Sequence, residues 1–310
     1  MSGKIKIVVV GIGGVGGYFG GLLAIQYEKS DEIEICFLAR GEHLRQIKEN
    51  GLKIIHGTTE FIARPAIATD NAGELGIADY ILICTKSYDL YATIEQIKPC
   101  IDQNTILLPL LNGVESVERI KKILPEANVL EGCVYIVSSV KEAGVIENIG
   151  INQKLFFGLD HVRNDKLILL EKILLNSGIE ATLSDNISTV VWEKFIFISA
   201  IATATSYLDC SVGKLIAENE ETLIQLIEEV KSIAFAKGIS FNPDITSYII
   251  NYNKQLPFDS TSSMHRDYQN MKLNTEVETL TGYVVRSGLE LNIETPAFTK
   301  AYRHLKSEIL

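Results

Sequence analysis

A glycine-rich stretch near the amino terminus constrains the fold more than any other feature of the sequence. Residues 8–24 read VVVGIGGVGGYFGGLLA, with seven glycines in seventeen positions. An apolar run at 5–10 leads into this stretch, a segment of helical spacing follows at 16–29, and a second apolar run lies at 33–39. This order predicts the strand, turn, helix and strand of a dinucleotide-binding βαβ unit. The alternative is a strand-to-helix turn without a ligand.

Each glycine of the Gly-x-Gly-x-x-Gly motif has its own task in such a unit. Gly11 permits the tight turn after the strand, Gly13 lets the backbone approach a pyrophosphate, and Gly16 lets the helix pack against its strand. The helix N-terminus adds N–H groups and a positive dipole, which attract phosphate. The predicted cofactor-binding residues of this turn are Gly11, Ile12, Gly13, Gly14, Val15 and Gly16.

The rest of the chain changes its pattern once. Strand-like apolar runs alternate with helical segments up to residue 184, and β-rich segments at 128–159 are predicted to extend or cap the sheet. Long helical periodicities dominate from residue 185 onwards. We therefore predict an α/β fold: an N-terminal Rossmann dinucleotide-binding domain at 1–184, followed by an all-α domain at 185–310 that carries substrate-binding and catalytic residues.

The residue that follows the second strand indicates whether the site prefers NAD or NADP. Sites for NAD usually place an acid there, which accepts a hydrogen bond from the ribose 2′-hydroxyl, whereas this chain has Arg40 in FLARGEH. A guanidinium pairs with a 2′-phosphate, so we predict NADP(H) as the cofactor. The alternatives are a solvated Arg40 or a ribose contact from an acid nearby: Glu42, Asp31, Glu32 or Glu34.

Composition excludes several classes of partner. The net charge is −10 and no dense block of Lys and Arg occurs, so nucleic acid is not expected to bind. No uninterrupted apolar run reaches the about 18 residues that span a bilayer, and no cleavable leader is evident, which predicts a cytoplasmic protein without a membrane contact. One helical stripe predicts core packing, with a homodimer contact as the alternative: Leu223, Ile227, Val230 and Ala234.

Cysteine and histidine usage argues against metal or disulfide chemistry. The five cysteines are odd in number and scattered, so they are interpreted as reduced packing residues. The five histidines lie far apart and form no ligand-spaced pair, so no metal site is expected.

Further motifs carry a resemblance to a known family. They are GIGGVGG at the start, LARGEHL after the second strand, CTKSYD, LLNGVES, WEKF, and SSMHRD followed by TEVE. In this order, on a Rossmann half followed by a helical half, they resemble the ketopantoate reductase (2-dehydropantoate 2-reductase) family over nearly the whole chain.

The resemblance implies an NADPH-dependent reduction of a 2-oxo acid, 2-dehydropantoate, to pantoate in the pantothenate pathway towards coenzyme A. By this resemblance, Lys194 is the general acid, Glu276 contacts the substrate and helps to place the lysine, and Ser263 binds the substrate carboxylate. Lys86 and Asn112 resemble residues at strand ends that lie beside the nicotinamide and the substrate.

Physical chemistry agrees with these roles and leaves alternatives. Hydride addition builds negative charge on the carbonyl oxygen, which an ammonium stabilises and protonates. Lys194 stands in an otherwise apolar helix, where an unpaired lysine is costly to bury. Glu276 is otherwise a first-turn helix carboxylate, Ser263 a helix cap, and Asn112 part of an ordinary Asn-Gly turn.

Three positions depart from the family pattern. Asparagines of the family correspond here to Ile198, Ala202 and Val212. Their loss removes polar groups that read a substrate hydroxyl. Nearby hydroxyl residues that could compensate are Ser199, Thr203 and Thr205. The alternatives to a ketopantoate reductase are therefore a related reductase of a less polar 2-oxo acid and a non-catalytic NADP(H)-sensing regulator.

Overall fold

The chain folds into two compact units. The structure, a computed structural model, describes residues 3–150 and 152–307. Unit 1 comprises Met1–Leu111 and Ser116–Ile187, and unit 2 comprises Asn112–Glu115 and Ser188–Leu310. The short segment Asn112–Glu115 thus belongs to the unit formed by the carboxyl-terminal half, although it follows a strand of unit 1 in the sequence.

Unit 1 contains three sheets and the helices packed on them. Its strands are β1 (Ile5–Val10), β2 (Ile33–Leu38), β3 (Leu52–His56), β4 (Thr59–Ala63), β5 (Ile67–Thr69), β6 (Tyr80–Ile83), β7 (Ile106–Pro109), β8 (Asn128–Val129), β9 (Glu131–Tyr135), β10 (Ser138–Glu142), β11 (Val145–Asn148), β12 (Lys154–Gly158) and β13 (Glu180–Leu183). Its helices are α1 (Gly14–Tyr27), α2 (Gly41–Asn50), α3 (Leu90–Ile97), α4 (Ser116–Ile123) and α5 (Asp165–Asn176).

The main sheet of unit 1 has the topology of a dinucleotide-binding fold. Its order is β5-β2-β1-β6-β7-β8, and every strand pair in it is parallel. The order reverses at β1, so the carboxyl ends of β1 and its neighbours form the edge where ligands bind in such sheets. The last four residues of β1 and all four residues of β6 are buried because both faces of the sheet are covered. The predicted Rossmann fold is confirmed.

The glycines of α1 that lie beyond the Gly-x-Gly-x-x-Gly motif are explained by the packing of this helix. A Cβ on Gly20 would lie 3.1 Å from Val9 of the main sheet, and a Cβ on Gly21 would lie 2.2 Å from Ile54 of β3. Strand β3 belongs to a second sheet, so α1 is packed between two sheets. Only residues without side chains allow a helix to approach both sheets this closely.

The prediction for residues 128–159 was wrong in part. Only β8 joins the main sheet, while β10 and β11 form a separate four-stranded sheet with β3 and β4, and β9 and β12 form a three-stranded sheet with β13. Strand β11 pairs in parallel with β3, which places Ile146 against Gly17 of α1. Strands β10 and β11 therefore cover α1 instead of widening the main sheet.

Unit 2 is helical, as predicted. Its elements are α6 (Ile187–Tyr207), α7 (Val212–Ala236), α8 (Ile245–Lys254), α9 (Ser263–Gln269), a π-helical segment (Glu278–Gly282), α10 (Tyr283–Leu291) and α11 (Pro296–Ser307). The apolar stripe on α7, from Leu223 to Ala234, is completely buried in the core of this unit. It packs internally and is not available for a homodimer contact.

Helix α6 contributes seven buried residues to this core, from Trp192 to Ala204. Within the described ranges it is the one helix whose length and hydropathy match a membrane-spanning segment, and 67% of its most apolar window is buried inside the structure. It also carries Glu193 and Lys194 in its first half. Burial inside the unit explains its apolar composition.

The cysteines are free thiols. Four are buried and Cys84 is half-buried. Burial raises the pKa of the Cys36 thiol to about 12, which keeps it protonated and unreactive at neutral pH. Among residues 3–150 and 152–307, no group of three or more His, Cys, Asp or Glu side chains is arranged to hold a metal ion.

Candidate active site

The glycine turn after β1 has the shape that a dinucleotide requires. Gly11 has a φ of +84°, and a Cβ there would lie 2.8 Å from the Thr85 nitrogen. A Cβ on Gly16 would lie 2.2 Å from the Gly11 oxygen. No atom lies within 4 Å of the Cβ position of Gly13, so the backbone is open to a ligand there. The turn thus combines a tight bend with an N-terminus of α1 that no side chain covers at Gly13.

The N-terminus of α1 is suited to an anion. Helix α1 begins at Gly14 with Gly13 at the N-cap, and its first turn contains no acidic residue. The first N–H groups of a helix have no acceptor within the helix and carry its positive dipole. Ile12 is buried, so this residue offers its backbone and not its side chain. These features fit a pyrophosphate at the turn.

Arg40 lies at the carboxyl edge of the main sheet. It follows β2, stands at the N-cap of α2, and its side chain is 86% exposed. Its guanidinium lies 3.5 Å from the carboxylate of Asp89. Lys86, also exposed, comes after β6 at the N-cap of the short 3-10 turn Ser87–Asp89. The structure therefore gathers cationic side chains at the edge where ligands of parallel sheets bind.

The acids considered as alternative ribose contacts are placed unfavourably. Glu42 accepts hydrogen bonds from Arg45, which lower the pKa of its carboxyl to about 2. Glu34 lies near the amino end of β2 and pairs with Lys6 at 3.4 Å. Asp31 and Glu32 precede β2, so they also lie at its amino end. Ligands of parallel sheets bind at the opposite end.

Three of the predicted site residues meet within unit 2. Lys194, in α6, is 8% exposed and Glu276 is 3% exposed. The Lys194 ammonium donates to Asn112 Oδ1 at 3.1 Å, and Asn112 Nδ2 donates towards Glu276 Oε2 at 3.5 Å. One neutral amide thus contacts a buried cation through its oxygen and a buried anion through its nitrogen. This arrangement orients both charged groups.

Glu276 is placed by the start of the π-helical segment. The N–H groups of Thr279 and Leu280 donate to the Glu276 carbonyl at 3.1 and 2.9 Å. Its backbone is therefore in the first turn of a helical segment, while its side chain is directed to Asn112. Both interpretations of this residue, as a helix-terminal acid and as a site residue, agree with its position. π-helical turns are frequent at functional sites.

Gly113 brings the Asn112 turn against this segment. Its φ is +100°, and a Cβ there would lie 2.4 Å from Cγ2 of Thr279. The residue thus has two reasons to be glycine, its backbone conformation and the contact with the π-helical segment. Sequence reasoning considered Gly113 only as part of an Asn-Gly turn and missed this packing role.

Ser263 is the first residue of α9 and is exposed. The interpretation of Ser263 as the helix cap was wrong. Ser262 is the N-cap, and its hydroxyl accepts from the His265 N–H at 3.1 Å. Because the preceding serine is the N-cap, the Ser263 hydroxyl is not needed to cap the start of the helix.

The three positions that depart from the family pattern are apolar in the structure as well. Ala202 and Val212 are buried in the core of unit 2, and Ile198 is half-buried against it. The hydroxyl residues nearby do not replace the missing amides. Ser199 is completely buried and its hydroxyl donates to the Phe195 carbonyl at 2.6 Å.

Thr203 and Thr205 are also fully buried, and each hydroxyl has a partner inside the unit. Thr203 contacts the hydroxyl of Thr281 at 2.8 Å. Thr205 contacts the Ile201 carbonyl at 2.8 Å and the Ser262 hydroxyl at 2.9 Å. These hydroxyls connect α6 to neighbouring segments. They therefore do not replace the amides that the family has at the three departing positions.

A further polar contact, missed from the sequence, connects the turn between α6 and α7 with α9. His265 is buried, and its Nε2 lies 2.8 Å from Asp209 Oδ1, a residue 56 positions away. Because a carboxylate only accepts, Nε2 donates to Asp209, while the Thr261 hydroxyl lies within hydrogen-bond distance of Nδ1. The contact holds the start of α9, where Ser263 lies.

The hydrogen bond from His265 holds the pKa of the Asp209 carboxyl below its usual range. An acid with a lowered pKa stabilises the fold above its ordinary pKa of about 4 and loses this effect as the pH falls through the lowered value. We expect Asp209→Asn to lower the free energy of unfolding by about 1 kcal/mol or less at neutral pH. Asparagine also tolerates the φ of +44° at this position.

Denaturant unfolding at a series of pH values checks this expectation. The difference between Asp209→Asn and the unchanged protein should shrink as the pH falls through the lowered pKa of the Asp209 carboxyl. A difference that stays constant over the whole pH range would contradict a role for the ionised carboxylate.

Comparison with known proteins places this chain in a family. The family model described as "Ketopantoate reductase PanE/ApbA" matches residues 7–160, and that described as "Ketopantoate reductase PanE/ApbA C terminal" matches residues 186–308. The chain is 30% identical over 308 residues to the uncharacterized oxidoreductase YkpB of Bacillus subtilis (strain 168), which covers 97% of this chain and 98% of that protein.

Two further relatives carry a more specific description. The 2-dehydropantoate 2-reductase of Streptococcus pyogenes serotype M6 is 27% identical over 294 residues, covering 94% of this chain and 93% of that protein. The crystal structure of 2-dehydropantoate 2-reductase from Porphyromonas gingivalis W83 matches with a TM-score of 0.87 at 36% identity, over 98% of this chain and 99% of that chain. The chain therefore belongs to the ketopantoate reductase family, oxidoreductases that act on 2-oxo acids.

Proposed function

We propose that this protein reduces 2-dehydropantoate to pantoate with NADPH. The observation that carries the proposal is the contact of buried Lys194 and buried Glu276 with the two ends of the Asn112 amide. A buried ammonium held by a neutral acceptor is suited to donate a proton to an oxygen that becomes negatively charged. The open glycine turn and Arg40 in unit 1 support a 2′-phosphorylated dinucleotide.

Each residue of unit 2 then has a stated task. When bound, NADPH supplies a hydride to the carbonyl carbon of the substrate. Lys194 holds a proton at Nζ and transfers it to the carbonyl oxygen, while the Asn112 oxygen fixes the direction of the ammonium. Glu276 accepts from Asn112 and so keeps the amide from turning. The exposed Ser263 hydroxyl donates to the substrate carboxylate.

The test is the loss of NADPH absorbance when 2-dehydropantoate is added to the purified protein. Substrate-dependent oxidation of NADPH with formation of pantoate is the expected result. Absence of turnover with 2-dehydropantoate and with every other 2-oxo acid supplied would overturn the proposal.

A second candidate substrate class is favoured by the apolar positions Ile198, Ala202 and Val212. A site without polar groups for a hydroxyl discriminates weakly in favour of a hydroxylated substrate. The compound 3,3-dimethyl-2-oxobutanoate differs from 2-dehydropantoate only by lacking that hydroxyl. A higher kcat/KM for this analogue would assign the protein to reduction of a less polar 2-oxo acid.

Arg40→Asp tests the choice of nucleotide. A carboxylate at this position repels a 2′-phosphate and accepts from a ribose hydroxyl, so we expect the ratio of kcat/KM for NADPH over NADH to fall by about tenfold or more. Arg45→Asp is the matched control, because it makes the same change of charge on α2 at a residue already bonded to Glu42 and Glu49. An equal fall in both variants would contradict a direct contact of Arg40 with the phosphate.

A further inference from the structure

The ion pair between Arg40 and Asp89 crosses the carboxyl edge of the main sheet. Strands β2 and β6 lie on either side of β1. Arg40 follows the carboxyl end of β2, Asp89 comes after the carboxyl end of β6, and their charged groups approach to 3.5 Å. The pair therefore spans the end of β1, where the glycine turn begins.

Asp89 presents its carboxylate from a fixed backbone. Its N–H donates to the Lys86 carbonyl at 2.9 Å, and its own carbonyl accepts from the Thr93 hydroxyl at 2.9 Å. It stands at the N-cap of α3, yet its side chain makes no capping hydrogen bond. The side chain is 41% exposed and is directed to Arg40. The Asp89 carboxylate thus lies beside the Arg40 guanidinium and does not cap α3.

This carboxylate opposes the task proposed for Arg40. A 2′-phosphate that binds the guanidinium must come close to Asp89, and two anions that share one cation repel each other. A ribose 2′-hydroxyl has the opposite preference, because it can donate to the carboxylate. Asp89 therefore penalises the phosphorylated nucleotide and leaves the unphosphorylated one unaffected or better bound.

We propose that Asp89 is a specificity-determining residue that weakens the preference of this protein for NADP(H) over NAD(H). The inference rests on the proposed function, since it takes the carboxyl edge near Arg40 as the nucleotide site. It predicts that the protein accepts both cofactors with a smaller difference in affinity than Arg40 alone would give. Exposed ion pairs are weak and easily rearranged, so the phosphate competes with Asp89 for Arg40 without unfolding the edge.

The test uses the full chain and two fragments of the cofactor. Isothermal titration calorimetry measures the Kd of adenosine 2′,5′-bisphosphate and of adenosine 5′-monophosphate. Asp89→Asn should lower the Kd of the bisphosphate by about fivefold and leave that of the monophosphate unchanged or higher. Asp89→Ser should change the ratio of the two constants in the same direction, because it also removes the carboxylate.

Glu42→Gln is the matched control. It removes one negative charge at the same edge, but Glu42 is bonded to Arg45 and not to Arg40. The ratio of the two Kd values should stay within about twofold in this variant. If Glu42→Gln and Asp89→Asn change the ratio of the two Kd values equally, the effect comes from the overall negative charge at this edge. The specific role of Asp89 is then overturned.

The remaining outcomes separate the inference from the proposed function. Binding of the bisphosphate by the unchanged protein, with the same ratio in both Asp89 variants, refutes the role of Asp89 and leaves the nucleotide site intact. Failure of the unchanged protein to bind either fragment, NADP⁺ or NAD⁺ refutes the nucleotide site itself, and the inference falls with it.

Discussion

Replacement of Lys194 by alanine should lower the turnover of the 2-oxo acid by about 10²-fold or more, the range of a general acid contribution. The carbonyl oxygen gains negative charge during reduction, and the ammonium that neutralises and protonates it is lost. The affinity for NADPH should stay within about a few-fold, because the glycine turn and Arg40 belong to unit 1. Steady-state kinetics and cofactor titration measure the two quantities.

Two further variants make this test specific. Lys194→Arg keeps the positive charge but removes an acid that gives up its proton, since the guanidinium stays protonated in proteins. It should therefore also be slow. Lys214→Ala removes an exposed lysine that pairs with Glu218 in the same unit, and turnover should not change. Unchanged turnover in Lys194→Ala would remove this residue from the mechanism.

Gly113→Ala should damage the site through Asn112. The added Cβ would lie 2.4 Å from Cγ2 of Thr279, at a backbone φ of +100°, so the turn has to move. Displacement of a catalytic group by about 1 Å can reduce turnover by about 10²-fold. We expect a loss of this order in kcat, and a decrease of about 1–3 kcal/mol in the free energy of unfolding.

The chain offers a matched control and a rescue for this variant. Gly238 also has a positive φ, +77°, but no atom lies within 4 Å of its Cβ position. Gly238→Ala therefore measures the backbone strain alone and should leave kcat unchanged. Thr279→Ser removes the methyl group that the new Cβ would meet, so the double variant should recover part of the activity. Equal effects of Gly113→Ala and Gly238→Ala on stability, with normal kcat, would contradict the packing argument.

The half of the fold that binds a dinucleotide was predictable because its signals are local. Strand β1 ends in a run of four buried apolar residues, and the positive φ of Gly11 follows directly from a tight turn. Helix α2 was not predicted. Its sequence, GEHLRQIKEN, is mostly polar and buries only Leu44 and Ile47, so its apolar periodicity is too short to recognise.

Pairing between distant segments was beyond sequence reasoning. The parallel pairing of β11 with β3 joins residues about 90 positions apart, and nothing in either strand specifies its partner. The contact of His265 with Asp209 is of the same kind. The choice between Ser262 and Ser263 as the cap also required the backbone, because adjacent serines have equal capping ability in the sequence.

The candidate site was predictable in its residues but not in its connections. Lys194, Glu276 and Asn112 were identified from motifs and from the cost of burying a lysine in an apolar helix. That one amide contacts both charged groups depends on packing between Gly113 and Thr279, which are far apart in the sequence. The hydrogen-bond partners of the hydroxyls on α6 likewise depend on which segments pack against this helix.

The membership of Asn112–Glu115 in unit 2 has a consequence for how this protein can be divided. A fragment that starts near residue 185 would inherit Lys194 and Glu276 but not the amide that each of them contacts. Chimeras that exchange carboxyl-terminal halves between relatives therefore transfer the two charged side chains without the amide that they contact. Any successful exchange has to carry the Asn-Gly turn along with the helices.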